Sequence, residues 1–215
     1  MGRRALRKID AGIDLSRHLK TFDDLPRPWN VDQLFGRAGP LELEVGTGKG
    51  LFLRGAASSR PETNYLGIEL ARKYARFSAA GLANRALTNA VVVCGDALRV
   101  FAEVLPSEAA AAVHVYFPDP WWKKRHKKRR VMQESFLRDI ERVLEPGGAL
   151  HFWTDVEEYF HTTLELIARQ TRLEGPFAVP ETTATDDLDY RTHFERRMRL
   201  HGEPVYRSLF RKRIL

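Results

Sequence analysis

The chain has 215 residues, 43% of them hydrophobic, which suits one core-forming domain with short extensions. Its formal net charge of +7 equals the charge of the seven Lys and Arg packed between 123 and 130, so the excess sits at one place and points to a polyanionic partner. Cys94 is the only cysteine, which excludes an internal disulfide and a multi-cysteine zinc site, and no run of about 18 apolar residues offers a membrane span.

Residues 1–38 are polar, with turn signals at Pro26 and Pro28, and read as an extension packing on a domain that fills 39–215. MGRRALRKID has no apolar stretch after its basic residues, so it is not read as a secretory signal; with the lone cysteine, a cytoplasmic setting is expected. LELEV (41–45) reads as a strand, followed by a glycine turn and a helix through Leu51, Phe52 and Leu53. Residues 65–69 form a second strand, 71–83 a helix, and 90–94 a buried parallel strand with Cys94 at its end. A short helix over 98–105 stops at Pro106, and 113–117 is a fourth strand carrying His114 as a core histidine. Met132, Phe136, Ile140 and Val143 recur at helical spacing up to the stop signal Glu145-Pro146-Gly147-Gly148. A fifth strand over 149–154 precedes a helix lined by Val156, Phe160, Leu164 and Ile167, and 205–210 reads as a last strand, antiparallel at the far side of the sheet. This alternation predicts an α/β fold with a doubly wound, mostly parallel, Rossmann-like sheet.

Two stretches carry chemistry. Glu44-Val45-Gly46-Thr47-Gly48-Lys49-Gly50 follows the first strand, and Glu69 stands 23 residues after Gly46 at the end of the second. Glycines there permit a tight turn close to a ligand, and an acid about 20 residues on binds ribose hydroxyls. The nicotinamide pattern needs its third glycine one residue later than Gly50. With Asp96 placed for an adenine edge, several carboxylates surround the turn and favour a cationic cofactor, S-adenosylmethionine (SAM), over a pyrophosphate. The plainer alternative is that Glu44 and Glu69 only cap helices.

The second stretch is FPDPWWKKRHKKRR (117–130). Prolines fix the backbone on both sides of Asp119 at a strand end. Trp121 and Trp122 read equally as packed residues or as faces for a base, and the cations offer counter-charge to phosphates, with His126 a phosphate or solvent contact. No His, Asp or Glu spacing suggests a metal site.

With these motifs in place, the chain from about residue 40 onward resembles the bacterial tRNA (guanine-N7)-methyltransferases. The glycine turn and Glu69 are general to SAM-dependent Rossmann methyltransferases, whereas Phe-Pro-Asp-Pro-Trp followed by the basic run is far more specific. Leu144-Glu145-Pro146-Gly147-Gly148, Trp153-Thr154-Asp155 and Thr192-His193-Phe194-Glu195 add to it. The resemblance implies a seven-stranded sheet and methyl transfer from SAM to N7 of a guanine in the tRNA variable loop. Carried over by position, Glu44, Gly46, Gly48, Glu69, Asp96 and Asp119 contact SAM, and Asp119 is catalytic. Lys123, Asp155, Thr192, His193, Phe194 and Glu195 contact the guanosine, while Lys124, Arg125, His126, Lys127, Lys128 and Arg129 hold RNA. The expected partner is tRNA, with no membrane and no metal, the chain acting as monomer or homodimer. Trp122 replaces a usual Pro, and Phe194 replaces a usual Tyr, removing a hydroxyl.

Guanine N7 carries a free lone pair, so positioning rather than deprotonation is the expected source of rate, with Asp119, Asp155 or Glu195 as orienter. Competing readings are an amino-methyltransferase of adenine or cytosine and a non-catalytic RNA-binding protein. The first uses a turn with both prolines after the acid, unlike Pro118-Asp119-Pro120, and the second has no need of Glu44, Glu69 and Asp96.

Overall fold

A computed structural model describes residues 6–180 and 190–214. Its centre is a run of parallel strands, β2 (Leu41–Val45), β3 (Asn64–Glu69), β4 (Ala90–Cys94), β5 (Ala110–Tyr116) and β6 (Leu144–Thr154). These strands are buried on both faces, which is why β4 reads as the continuous apolar run AVVVC. Helices α2 (Leu51–Ser59) and α3 (Arg72–Ala83) cover one face; α4 (Ala97–Glu103), α5 (Glu134–Val143) and α6 (Glu157–Gln170) cover the other. Before them come β1 (Leu19–Thr21) and α1 (Val31–Phe35); after them come β7 (Glu174–Phe177), α7 (His193–Leu200) and β8 (Tyr206–Arg211).

The sheet order is β1-β4-β3-β2-β5-β6-β8-β7, eight strands among the described residues rather than the seven expected. The added strand is β1. Its three residues pair in parallel with Val92, Val93 and Cys94, and the neighbouring Leu25 and Phe35 enter the core. The N-terminal segment is thus stitched into the sheet edge, and its residues 1–5 lie outside the described residues. A three-residue strand gives no periodicity, so only the open edge of β4 specifies it. The last strand is antiparallel as expected, but it lies inside the sheet, between β6 and β7.

Two local expectations change. Glu145-Pro146-Gly147-Gly148 does not simply stop a helix. It bulges the start of β6, where the register slips between the pairs Ala110–Leu144 and Ala112–Ala149. In α6 the fully buried positions are Tyr159, Thr163 and Ile167, with Phe160 and Leu164 at the margin and Val156 at the cap.

On β2 the side chains alternate. Leu41, Leu43 and Val45 join the core on the α5 side, while Glu42 and Glu44 point to the α2 side, and all five are buried. Glu42 is satisfied: Arg60 donates to both of its oxygens at 2.6 and 2.9 Å, and His114 Nε2 lies 2.9 Å away. His114 also meets the Tyr116 hydroxyl at 2.9 Å and is a core histidine. From β2 the chain winds outward through β3 and β4 on one side and, later, through β5 and β6 on the other. A crevice beyond the carboxyl ends of β2 and β5 is where open α/β sheets bind ligands.

Candidate active site

The glycine turn leaves β2 at that crevice. Gly46, Gly48 and Gly50 all have positive φ, at 80, 52 and 68°. At Gly50 a side chain would also strike Ser78, whose Oγ would stand 2.0 Å from the added carbon. Nothing lies within 4 Å of the corresponding positions at Gly46 and Gly48, so backbone there faces open space. Glu69, at the end of β3, accepts from Gly48 N and from Ala71 N, both at 2.8 Å, and so ties the turn to the start of α3. The capping role is real for Glu69, yet a carboxylate has about four lone-pair sites and two backbone donors do not saturate it.

Glu44 differs. Its carboxylate is fully buried, and Oε2 has no hydrogen-bond partner among the described residues. Burial pushes its pKa well above the usual carboxylate range; the charge of Glu69 adds to this, and Arg54 opposes it. The helix-cap alternative therefore fails for Glu44. An unsatisfied buried acid beside an open glycine turn is chemically suited to a ligand cation, and the ammonium of SAM meets that requirement. Asp96 is exposed at the end of β4 and caps α4 by accepting from Leu98 N at 2.9 Å.

The neighbouring strand end, after β5, is strained. Phe117 and Trp121 both adopt positive φ, at 50 and 45°, on either side of Pro118-Asp119-Pro120. Bulky residues in that region store strain that surrounding contacts must hold. Here the contacts are identifiable. Phe117 N donates to Trp153 O at 2.8 Å, and its ring packs 4.9 Å from Phe194 of α7. Arg130 donates from Nε to Pro120 O at 2.8 Å and pairs with Glu158 at 2.6 Å; its guanidinium covers the Tyr159 ring at 4.3 Å. Asp119 is thereby presented, exposed, on a turn pinned at both ends.

The basic run forms a 3-10 helix over Lys124–Arg129. Its cations are not equivalent. Arg130 is buried as the anchor just described, and Lys127 pairs with Glu158 at 2.6 Å. Arg129 stacks over Trp121 at 5.2 Å, with His126 edge-on to the same ring at 5.9 Å. Lys123, Arg125 and Lys128 are exposed, and the Lys124 side chain lies outside the described part.

Asp155 follows β6. Half-burial raises its pKa, against the attraction of Arg197. Thr192 caps α7 by accepting from Glu195 N at 2.9 Å. Glu195, buried, accepts from Arg191 N at 2.7 Å and pairs with Arg207 at 3.4 Å and Arg199 at 3.5 Å. Thr192-x-x-Glu195 thus forms half of a capping box, with Glu195 reaching back to Arg191 N, one residue before the cap, in place of Thr192 N. Phe194 lies on Phe117, which brings 192–195 to the Asp119 turn, and His193 is exposed beside it. Reading along the sheet, Asp96, Glu69, the glycine turn, Asp119 and Asp155 all follow carboxyl ends of adjacent parallel strands. Sequence reasoning missed Glu158, which no spacing marks, and Arg191, which lies 5.8 Å from the Phe52 ring and 5.9 Å from that of Trp153. Among the described residues no cluster suits a metal, and no helix is long and apolar enough to cross a membrane.

Residues 38–208 match a family model described as "Putative methyltransferase". A protein of Rhodopirellula baltica named tRNA (guanine-N(7)-)-methyltransferase is 51% identical, the match covering 99% of this chain and 81% of that protein. One of Cupriavidus necator with the same name is 38% identical over 87% of this chain and 72% of the relative. Among solved structures, the 16S rRNA methyltransferase KamB superposes with a TM-score of 0.61 at 18% identity, covering 85% of this chain and 92% of that one. The aminoglycoside resistance methyltransferase NpmB1 gives 0.55 at 20% identity over 87% and 94%. These two likenesses concern the fold alone.

Proposed function

From the premise that the chain belongs to the tRNA (guanine-N(7)-)-methyltransferase family, we propose that it methylates N7 of a guanine in the tRNA variable loop, with SAM as donor. The observation that carries this reading is one of adjacency. β2 and β5 are hydrogen-bonded neighbours, so the glycine turn with its unsatisfied acid and the Asp119 turn with its basic segment leave the sheet side by side. One half suits a cationic cofactor, the other a polyanion.

Glu44 would hold the SAM ammonium, Gly46 and Gly48 would admit its close approach, and Glu69 and Asp96 would take its ribose and adenine. Bound there, SAM supplies an electrophilic methyl group on sulfonium sulfur. The remaining work falls to the chain's own residues. N7 needs no base to expose its lone pair, so the site acts by alignment. Asp119 accepts from guanine N1–H and N2–H₂ and offsets the positive charge that grows on the purine. Its pinned turn makes that acceptor pre-positioned. Lys123, Asp155, His193 and Phe194 complete the guanosine pocket. Thr192 and Glu195 contribute chiefly by building the start of α7. N7 lies on the major-groove edge, so the base is exposed before reaction, at a cost of about a few kcal/mol that phosphate contacts from the 3-10 segment help offset. The working partner is cytoplasmic tRNA, met by a monomer or homodimer.

The test is methyl transfer from labelled SAM to unmodified bulk tRNA, followed by digestion to nucleosides. 7-Methylguanosine is the expected product. Another methylated nucleoside would retain the SAM site and overturn the N7 assignment.

A further inference from the structure

Trp121 and Trp122 are adjacent in sequence and opposite in fate. Trp121 has a left-handed backbone, and the two rings meet different surroundings. Trp121 is partly buried, with Arg129 over one face and His126 at its edge. Trp122 is 70% exposed, and among the described residues no ring or cation packs on it. The turn leading into it is nonetheless fixed: Pro120 O is held by Arg130, which is anchored by Glu158 and Tyr159. An indole displayed by a strained and pinned turn differs from an apolar side chain on a loose loop. Its position adds to this, three residues after Asp119 and one before the exposed Lys123. A flat aromatic face set among cations is the arrangement that holds unstacked bases, because every base has a π-face and every linkage a phosphate.

We propose that Trp122 is a base-stacking subsite that takes an unpaired nucleobase of the RNA substrate next to the target guanine. The inference rests on the tRNA reading above. It assigns Trp122 a role separate from the charges around it: the ring holds a base while the exposed Arg125 and Lys128 hold backbone. It also fits the departure at this position, where a flat indole stands in place of the usual proline. A base released from its stack next to the exposed target finds a replacement surface on the protein.

The experiment compares wild type, W122A and W122F. Removing the indole should weaken affinity for tRNA by between about fivefold and 150-fold, the range of base–aromatic stacking. W122F should recover most of this loss. SAM affinity by calorimetry should stay unchanged, as should the slope of log affinity against log salt, since no charge is removed. Independently, the fluorescence difference between wild type and W122F isolates Trp122 from Trp29, Trp121 and Trp153. That signal should be quenched by a single-stranded RNA oligonucleotide and not by inorganic polyphosphate. If W122A binds tRNA within twofold of wild type, or polyphosphate quenches as RNA does, the stacking role is wrong. If wild type fails to methylate tRNA yet the oligonucleotide quenches Trp122, the functional reading falls and the stacking site stands. If no RNA quenches it, the stacking site falls.

Discussion

Replacing Glu44 with Gln separates what the fold wants from what the cofactor wants. Glu44 is buried, Oε2 has no partner, and burial together with Glu69 raises its pKa. A carboxyl whose pKa is higher in the folded chain than in the unfolded one destabilises the fold as pH rises above the unfolded value of about 4.3. Gln keeps the shape and cannot ionise. Without cofactor, E44Q should match wild type below pH about 4 and be the more stable protein at pH 7. A relief of about 1 kcal/mol raises Tm by roughly 2–4 °C in a domain of this size. Cofactor binding should change the other way. A charge-assisted hydrogen bond contributes about 1.5–3 kcal/mol, so E44Q should bind SAM roughly tenfold to 150-fold more weakly. S-adenosylhomocysteine, which keeps the ammonium and loses the sulfonium, should suffer a similar loss. Calorimetry in buffers of different ionisation enthalpy should show more proton release on binding to wild type than to E44Q. A variant with unchanged Tm that binds SAM within twofold of wild type would refute the assignment of Glu44.

Asp119→Asn preserves the pinned turn and removes the charge; turnover should fall by more than tenfold with SAM affinity nearly kept, and a loss under about threefold, below ~1 kcal/mol, would make Asp119 electrostatically idle. Replacing Arg125, Lys128 and Arg129 with Gln should weaken all tRNAs alike and flatten the salt slope by about 2 to 3 units. Salt titration that returned the wild-type slope would mark these residues as solvated surface. Thr192→Ala removes the α7 cap and should lower Tm by about 2–4 °C, corresponding to ~1 kcal/mol. An unchanged thermal melt would mean that Thr192 does not stabilise α7.

What the sequence makes legible is what periodicity and turn chemistry encode. β4 announces itself as a continuous apolar run, and β2, β3 and β5 as apolar-rich runs bounded by turn signals; the crevice follows from their winding. β1 and β7 do not: three and four residues are too short for a period, and their pairing depends on sheet edges supplied by distant parts of the chain. The glycine turn is readable from its residues, but the contrast between a bonded Glu42 and an unsatisfied Glu44 is not. It depends on Arg60 and His114, which arrive from α2's end and from β5. The basic run likewise looks uniform in sequence. Only the fold, through Glu158 on α6, divides it into anchors and exposed cations. Trp121 and Trp122 are indistinguishable until the fold partly buries the first and exposes the second.

The most direct test of the account uses a tRNA transcript whose variable-loop guanosine is replaced by 7-deazaguanosine, which keeps the Watson–Crick edge and lacks N7. The account predicts that the unmodified transcript accepts one methyl group and the substituted transcript accepts none, while both bind with similar affinity. Continued methyl incorporation into the substituted transcript would contradict it, placing the accepting atom elsewhere on the RNA.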